Sequence, residues 1–134
     1  MDIAAIRTAL ANNLSAVYGS STQVSPYVLS QSTPPTIQVF PGRIQYQQAM
    51  GGGLNIAEFI VEVYVPSSTD IGAQKNLDPF LNPSGIPAAI EADRTLGGIV
   101  GSASVQEVNN YGEFSLADGT IVLGCRFTVQ VYAS

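Results

Sequence analysis

Histidine and tryptophan are absent from the 134 residues, and a single cysteine, Cys125, is all the thiol chemistry the chain carries. Without histidine, the commonest general base and metal ligand is gone. The serines have no evident base to activate them. Asp70, Asp78, Glu91 and Asp93 are scattered over helix surfaces without the spacing of a metal-binding carboxylate cluster. The residues therefore point away from an enzyme, and no cofactor or metal is expected. One cysteine excludes an intrachain disulfide, and Cys125 falls on the apolar side of its strand, where a lone thiol is core filler.

Charge is the second shortage. Only 11% of the residues are Asp, Glu, Lys or Arg, against roughly 25% in an average globular protein, while the mean hydropathy is +0.22. Ser, Thr, Asn and Gln fill part of the gap. A chain this short of ordinary charged surface is best accommodated when copies of itself or partners cover much of its exterior, which implies an assembly subunit. The net charge is −5. Arg7, Arg43, Lys75, Arg94 and Arg126 are the only cations and do not cluster, so phosphate-neutralising binding of nucleic acid is not expected. Long apolar runs are also missing: none approaches the ~18–20 residues of a membrane span, and no signal-peptide pattern opens the chain. Synthesis and assembly in a cytoplasm are the expectation.

What is present is period-2 patterning. From Ile121 to Val131 every odd position is apolar, whereas Arg126, Thr128 and Gln130 occupy even ones, the signature of a strand with one buried face. Residues 57–65 repeat it, with Ala57, Phe59, Val61, Val63 and Val65 on one side and Glu58 and Glu62 on the other. The two strands are expected to be neighbours, with Arg126 on the same outer face as Glu58 and Glu62. Such strands do not stand alone, since backbone ordering at about 1–2 kcal/mol per residue offsets the burial of one face. Helices must cover them, which gives an α+β layer.

Asp2 can cap a helix over about 2–18, with Ile3, Ile6, Leu10, Leu14 and Val17 as its stripe and Gly19 as its stop. Residues 22–29, around Pro26, read as an edge strand or an extended segment. Residues 36–40 read as a second short strand before Pro41-Gly42 turns the chain. Residues 42–55, containing Gly51, Gly52 and Gly53, read as a Gly-rich arm, since three consecutive glycines are costly to order and suit a segment that packs on a partner. A phosphate cradle is a poorer reading, because no Lys-Ser/Thr follows and a strand comes next instead of a helix. Ile71, Gln74, Leu77 and Leu81 track a helical face, with Ser67 or Ser68 as cap and a kink or break near Asp78 because Pro79 follows. Pro87 opens a short helix over 87–93. Residues 102–108 form a weaker strand, 109–114 a loop, and Asp118-Gly119 a hairpin signal before the last strand. The expected fold is one α+β domain, a mainly antiparallel mixed sheet covered on one face by an N-terminal helix and a central helical pair.

At Ala73-Gln74-Lys75-Asn76-Leu77-Asp78, then Asn82-Pro83-Ser84-Gly85, then Asp93-Arg94-Thr95-Leu96-Gly97-Gly98, the chain resembles tail terminator proteins of long-tailed, non-contractile phages, especially those of actinobacterial hosts. The likeness extends to residues 1–14, to Pro34-Pro35, to the 46–53 loop and to the last strand, so it covers nearly the whole chain in order. Its specificity lies in the ordered set, and Pro79 departs from the pattern. The resemblance implies a structural virion protein: a hexameric ring seated on the last ring of the tail tube, ending its polymerisation and meeting the head–tail connector or stopper in the neck. Implied partners are copies of itself, the major tail tube protein and that connector, with DNA passing through the lumen unheld and no membrane. A negative lumen would repel phosphate, and a closed ring needs head-to-tail interfaces. The 42–55 arm and the 109–120 hairpin are the candidate contacts with the neighbouring subunit or the tube, through Arg43, Tyr46, Gln48, Met50, Gly51, Gly52, Gly53, Tyr111 and Phe114; the alternative is a pair of plain surface loops. A tail-tube or other neck-completion subunit is the runner-up function, and a soluble non-viral binding domain or small enzyme comes third.

Overall fold

In the computed structural model, residues 2–29, 35–46, 55–66, 71–116 and 119–133 are described. Helix α1 (Ile3–Tyr18) begins at Asp2, whose side chain accepts a hydrogen bond from the Ala5 amide, a cap that contributes about 1 kcal/mol. Its buried side is Ile6, Leu10, Ala11 and Leu14, while Val17 is exposed. The drift of a 3.6-residue turn brings Tyr18 inward in its place, and the Tyr18 ring stacks on Phe80 with centroids 4.9 Å apart.

Five strands follow: β1 (Gln23–Ser25), β2 (Thr36–Gln45), β3 (Asn55–Val65), β4 (Ser102–Ser115) and β5 (Ile121–Ala133). They form one sheet in the order β1-β2-β3-β5-β4, parallel only between β1 and β2. Between β3 and β4 run α2 (Ile71–Leu81) and α3 (Ile86–Glu91). That crossover carries the chain over β5 and returns it parallel to β3. The fold is therefore α+β: a mixed, mostly antiparallel sheet with the N-terminal helix and a bent central helical segment packed on it.

The core lies between that helical layer and one face of the sheet. Val61, Val63, Cys125, Phe127 and Val129 are among its buried strand residues, and Ile6, Leu10, Leu77 and Ile90 among its helical ones. β3 and β5 are neighbours as the shared alternation predicts, in register from Asn55 opposite Ala133 to Val65 opposite Leu123. Ile121 lies past the end of β3 and is 43% exposed, so the core face of β5 starts at Leu123.

Several local expectations change. Pro41-Gly42 does not turn the chain; β2 continues through it to Gln45. Val39 turns its carbonyl to the β1 side, where it accepts from Arg7, and Pro41, two residues on, faces the same way. β1 has ended by then, so the missing proline N–H is not needed by the ladder, and a one-residue bulge at Gly42 restores pairing at Arg43. The 42–55 arm is correspondingly shorter: 42–45 belong to β2, Asn55 belongs to β3, and 47–54 lie outside the described residues.

α2 runs through Pro79 to Leu81. The proline sits in the last turn, where it forfeits one hydrogen bond of a helix that stops two residues later. The bend falls instead at residues 82–85, where a Cβ on Gly85 would collide with the Pro79 carbonyl and lie 2.7 Å from that of Phe80. Ala73 and Leu77 make the buried stripe of α2, whereas Ile71 is 71% exposed and Gln74 also faces outward. The proposed caps Ser67 and Ser68 lie outside the described residues.

Residues 109–114, read as a loop, are strand. β4 extends to Ser115 with one-residue bulges at Gln106 and at Asn110–Tyr111. Each bulge reverses the side-chain parity, which erases the alternation that sequence reading depends on. Asn110 takes φ +57°, a left-handed conformation that asparagine tolerates better than most residues.

Candidate assembly surface

The connections within the two segments singled out as contacts, 46–54 and 116–120, leave the sheet at opposite ends. β2 gives way to the 46–54 connection where Gln45 pairs with Ile56, and Ile56 with Tyr132 near the end of β5. The β4–β5 turn lies at the start of β5, where Ser115 pairs with Ile121. β5 is 13 residues long, so the two exits are roughly 40 Å apart at ~3.3 Å per residue. The turn closes by the Leu116 amide donating to the Thr120 carbonyl at 2.8 Å, with Gly119 at φ +87°; Asp118 of the Asp-Gly signal lies outside the described residues.

Of the nine candidate contact residues, Gln48, Met50, Gly51, Gly52 and Gly53 lie outside the described residues. Arg43 is exposed on the outer sheet face opposite Glu58, and Tyr46, just beyond β2, is 76% exposed. Tyr111 and Phe114 are engaged within the subunit, on opposite faces of β4. The Tyr111 hydroxyl donates to Asp78 Oδ1 at 3.0 Å, tying the second bulge to α2. Partial desolvation and that carboxylate raise its pKa. Phe114 meets the Tyr64 ring edge-on at 5.3 Å and lies 5.4 Å under the Arg126 guanidinium.

Phe114 flanks a polar cluster on the sheet face opposite the helices. One row of that face crosses all five strands: Ser25, Gln38, Glu62, Arg126 and Asn109. Glu62 is 4% exposed. Its Oε1 accepts from the Tyr64 hydroxyl at 2.7 Å and from Gln38 Nε2 at 2.9 Å, and its Oε2 accepts from Arg126 Nε at 2.6 Å. Gln38 Oε1 in turn accepts from the Leu29 amide at 3.2 Å, so the segment leaving β1 is held against this row. Burial, then the hydrogen bond and charge of Glu62, push the Tyr64 pKa well above its ordinary value, which keeps the hydroxyl a donor. Sequence reading placed Arg126 with Glu62 but missed Gln38, Tyr64 and Phe114. The only signal for Gln38 and Tyr64 was their shared even parity with Glu62.

Beyond that row the outer face is more open. Phe40 stands beside Ile60 and Thr128, Arg43 beside Glu58 and Gln130, and Ile56 beside Tyr132. All but Arg43, which is exposed, are half-buried. On the helical side, a cleft of about 180 Å³ is lined by Leu81, Pro87, residues 105–108 and Phe127. It is smaller than the ~300–1,000 Å³ of typical ligand pockets and suits a single side chain. Among the described residues no three of His, Cys, Asp and Glu come together as a metal site, and burial pushes the Cys125 thiol up to about 12, far from a reactive thiolate.

No family model matches this sequence, and no curated protein matches it.

Proposed function

We propose that the chain is a structural subunit of a phage tail that closes into a ring, caps the tail tube, ends its polymerisation and joins the tail to the neck. The observation that carries this reading is the bipolar layout: two candidate contact segments leave opposite ends of β5, roughly 40 Å apart by strand rise. A cap must present unlike surfaces to the tube on one side and to the connector or stopper on the other, and refuse a further tube subunit. The shortage of charge and the ordered resemblance along the chain support the same reading. In it the subunit carries out no reaction and takes no cofactor, DNA passes through an acidic lumen without being gripped, and the ring of six copies belongs to the virion after assembly in the host cytoplasm.

The test is to polymerise the major tail tube protein with and without this chain and measure tube lengths by electron microscopy. Discrete rings that shorten the tubes are expected. Long tubes made by this chain alone would identify it as a tube subunit, and a monomer with no effect on tube length would refute the reading. Deleting Gly51–Gly53 is expected to leave a folded subunit that no longer caps.

A further inference from the structure

The proposed ring needs a lateral interface, and both edges of the sheet are poorly suited to supply it by strand addition. β1 is only three residues long, and where β2 becomes the edge beyond it Arg7 occupies the Val39 carbonyl, Pro41 has no N–H to offer and Gly42 is bulged. β4 is blocked by its own chain where it begins, as the Ala103 amide donates to the Arg94 carbonyl at 2.7 Å and the Val105 amide to Glu91 Oε2 at 3.0 Å. Past that point two bulges and the exposed carboxylates Glu107 and Glu113 guard it, devices that discourage edge pairing. What is left is the sheet face away from the helices. Its Glu62 row is closed by Leu29 and Phe114, but half-buried Phe40, Ile56, Ile60 and Tyr132 flank the row of Arg43, Glu58 and Gln130, and no described helix covers them.

The same chain carries a complementary surface. On α2, Ile71 is 71% exposed and Lys75 is exposed one turn later, so the two share a face. Lys75 makes no ion pair among the described residues, and neither does Glu58, although Arg43 stands opposite it in the ladder. The spacing agrees as well. Residues four apart on a helix lie about 5–6 Å from one another, and alternate residues on a strand about 6.6 Å. Ile71 can therefore rest on Ile60 while Lys75 meets Glu58.

We infer that α2 of one subunit docks on the open sheet face of a second copy, Lys75 against Glu58 and Ile71 among Ile56, Ile60 and Phe40. Each sheet is then covered by its own helices on one side and by its neighbour's on the other. The contact is head-to-tail, so it propagates around a ring. This inference rests on the ring reading and specifies its lateral interface.

Charge reversal tests it. Particle mass is measured for the wild type, Glu58→Lys, Lys75→Glu and the double variant, with thermal melts to establish that each is folded. Each single reversal is expected to weaken assembly at least tenfold, and the double reversal to restore it. A second measurement uses oxidative cross-linking: Ile60→Cys with Ile71→Cys should give a ladder of covalent multimers, and neither cysteine alone should. Single reversals that assemble like the wild type, a wild type monomeric at millimolar concentration, or dimers formed by Ile60→Cys alone would overturn the inference, the last by showing sheet face against sheet face. Rings that cap tubes but ignore charge reversal would sink this interface and leave the capping role intact. A cross-linked ladder whose rings do not shorten tubes would do the opposite.

Discussion

Arg126 Nε lies 2.6 Å from Glu62 Oε2, directly across the β3–β5 ladder, with the carboxylate buried and the guanidinium 40% exposed. Arg126→Ala would leave a buried carboxylate with only Tyr64 and Gln38 as donors. Because solvent already reaches the arginine, the cost should fall at about 2–3 kcal/mol rather than at the top of the range for a broken buried pair. A urea titration checks it, and an unchanged midpoint would mean the pair contributes nothing.

Gly124 is the second sensitive point in the same cluster. A Cβ there would lie 2.6 Å from both Tyr64 Cδ1 and the Val63 carbonyl oxygen, and the backbone contact cannot be relieved by a rotamer change. Gly124→Ala should therefore destabilise by about 1–3 kcal/mol and disturb the Tyr64–Phe114 ring contact. Denaturant midpoints give the first effect and aromatic proton shifts the second; a neutral substitution would contradict the geometry.

Arg7 joins α1 to the place where β1 leaves β2. Its Nε donates to the Pro26 carbonyl at 2.9 Å, its Nη2 to the Val39 carbonyl at 3.3 Å, and its guanidinium lies 4.4 Å from the Tyr27 ring centre. Arg7→Ala should cost about 1.5–3 kcal/mol and speed amide exchange in Gln23–Ser25 more than in β5. Equal protection of β1 in both proteins would count against this role.

Alkaline pH should destabilise the fold through its buried thiol. Burial raises Cys125 from the ordinary 9.0 to about 12, so above pH 9 the unfolded chain releases a proton that the folded chain keeps. The stabilisation is complete below about pH 9 and is lost as the pH climbs toward 12. The slope is about 1.4 kcal/mol per pH unit where one thiol dominates. Tyr64, raised from 10.0 by burial, acts in the same direction at higher pH. Melting temperatures between pH 8 and 10 should fall for the wild type and much less for Cys125→Val; parallel curves would remove the thiol from the explanation.

α1, β3 and β5 are legible in the sequence because their periodicities are uninterrupted: Ile6, Leu10 and Leu14 at helical spacing, and Phe59 to Val65 and Leu123 to Val131 at spacing two. β4 was only half legible because its bulges at Gln106 and Asn110–Tyr111 reverse parity twice, and β2 because the Pro41-Gly42 pair reads as a turn until one knows that β1 has already ended. Of the candidate contacts, Tyr46 and Arg43 are exposed, while Phe114 is packed against Tyr64. A sequence read alone does not reveal that an aromatic residue has found a partner fifty positions away.

Local chemistry was enough to determine that this protein is an α+β layer with a capped N-terminal helix, a buried thiol and a low content of charged residues, since each of these follows from residue identity and spacing. Tertiary structure alone decided that Gln38, Glu62, Tyr64 and Arg126 converge on one face, that the two connecting segments leave from opposite ends, and that no described helix covers that face. Those facts depend on strand order and register, which are set by the sum of many weak packing contacts between distant segments and leave no mark on any single stretch of sequence.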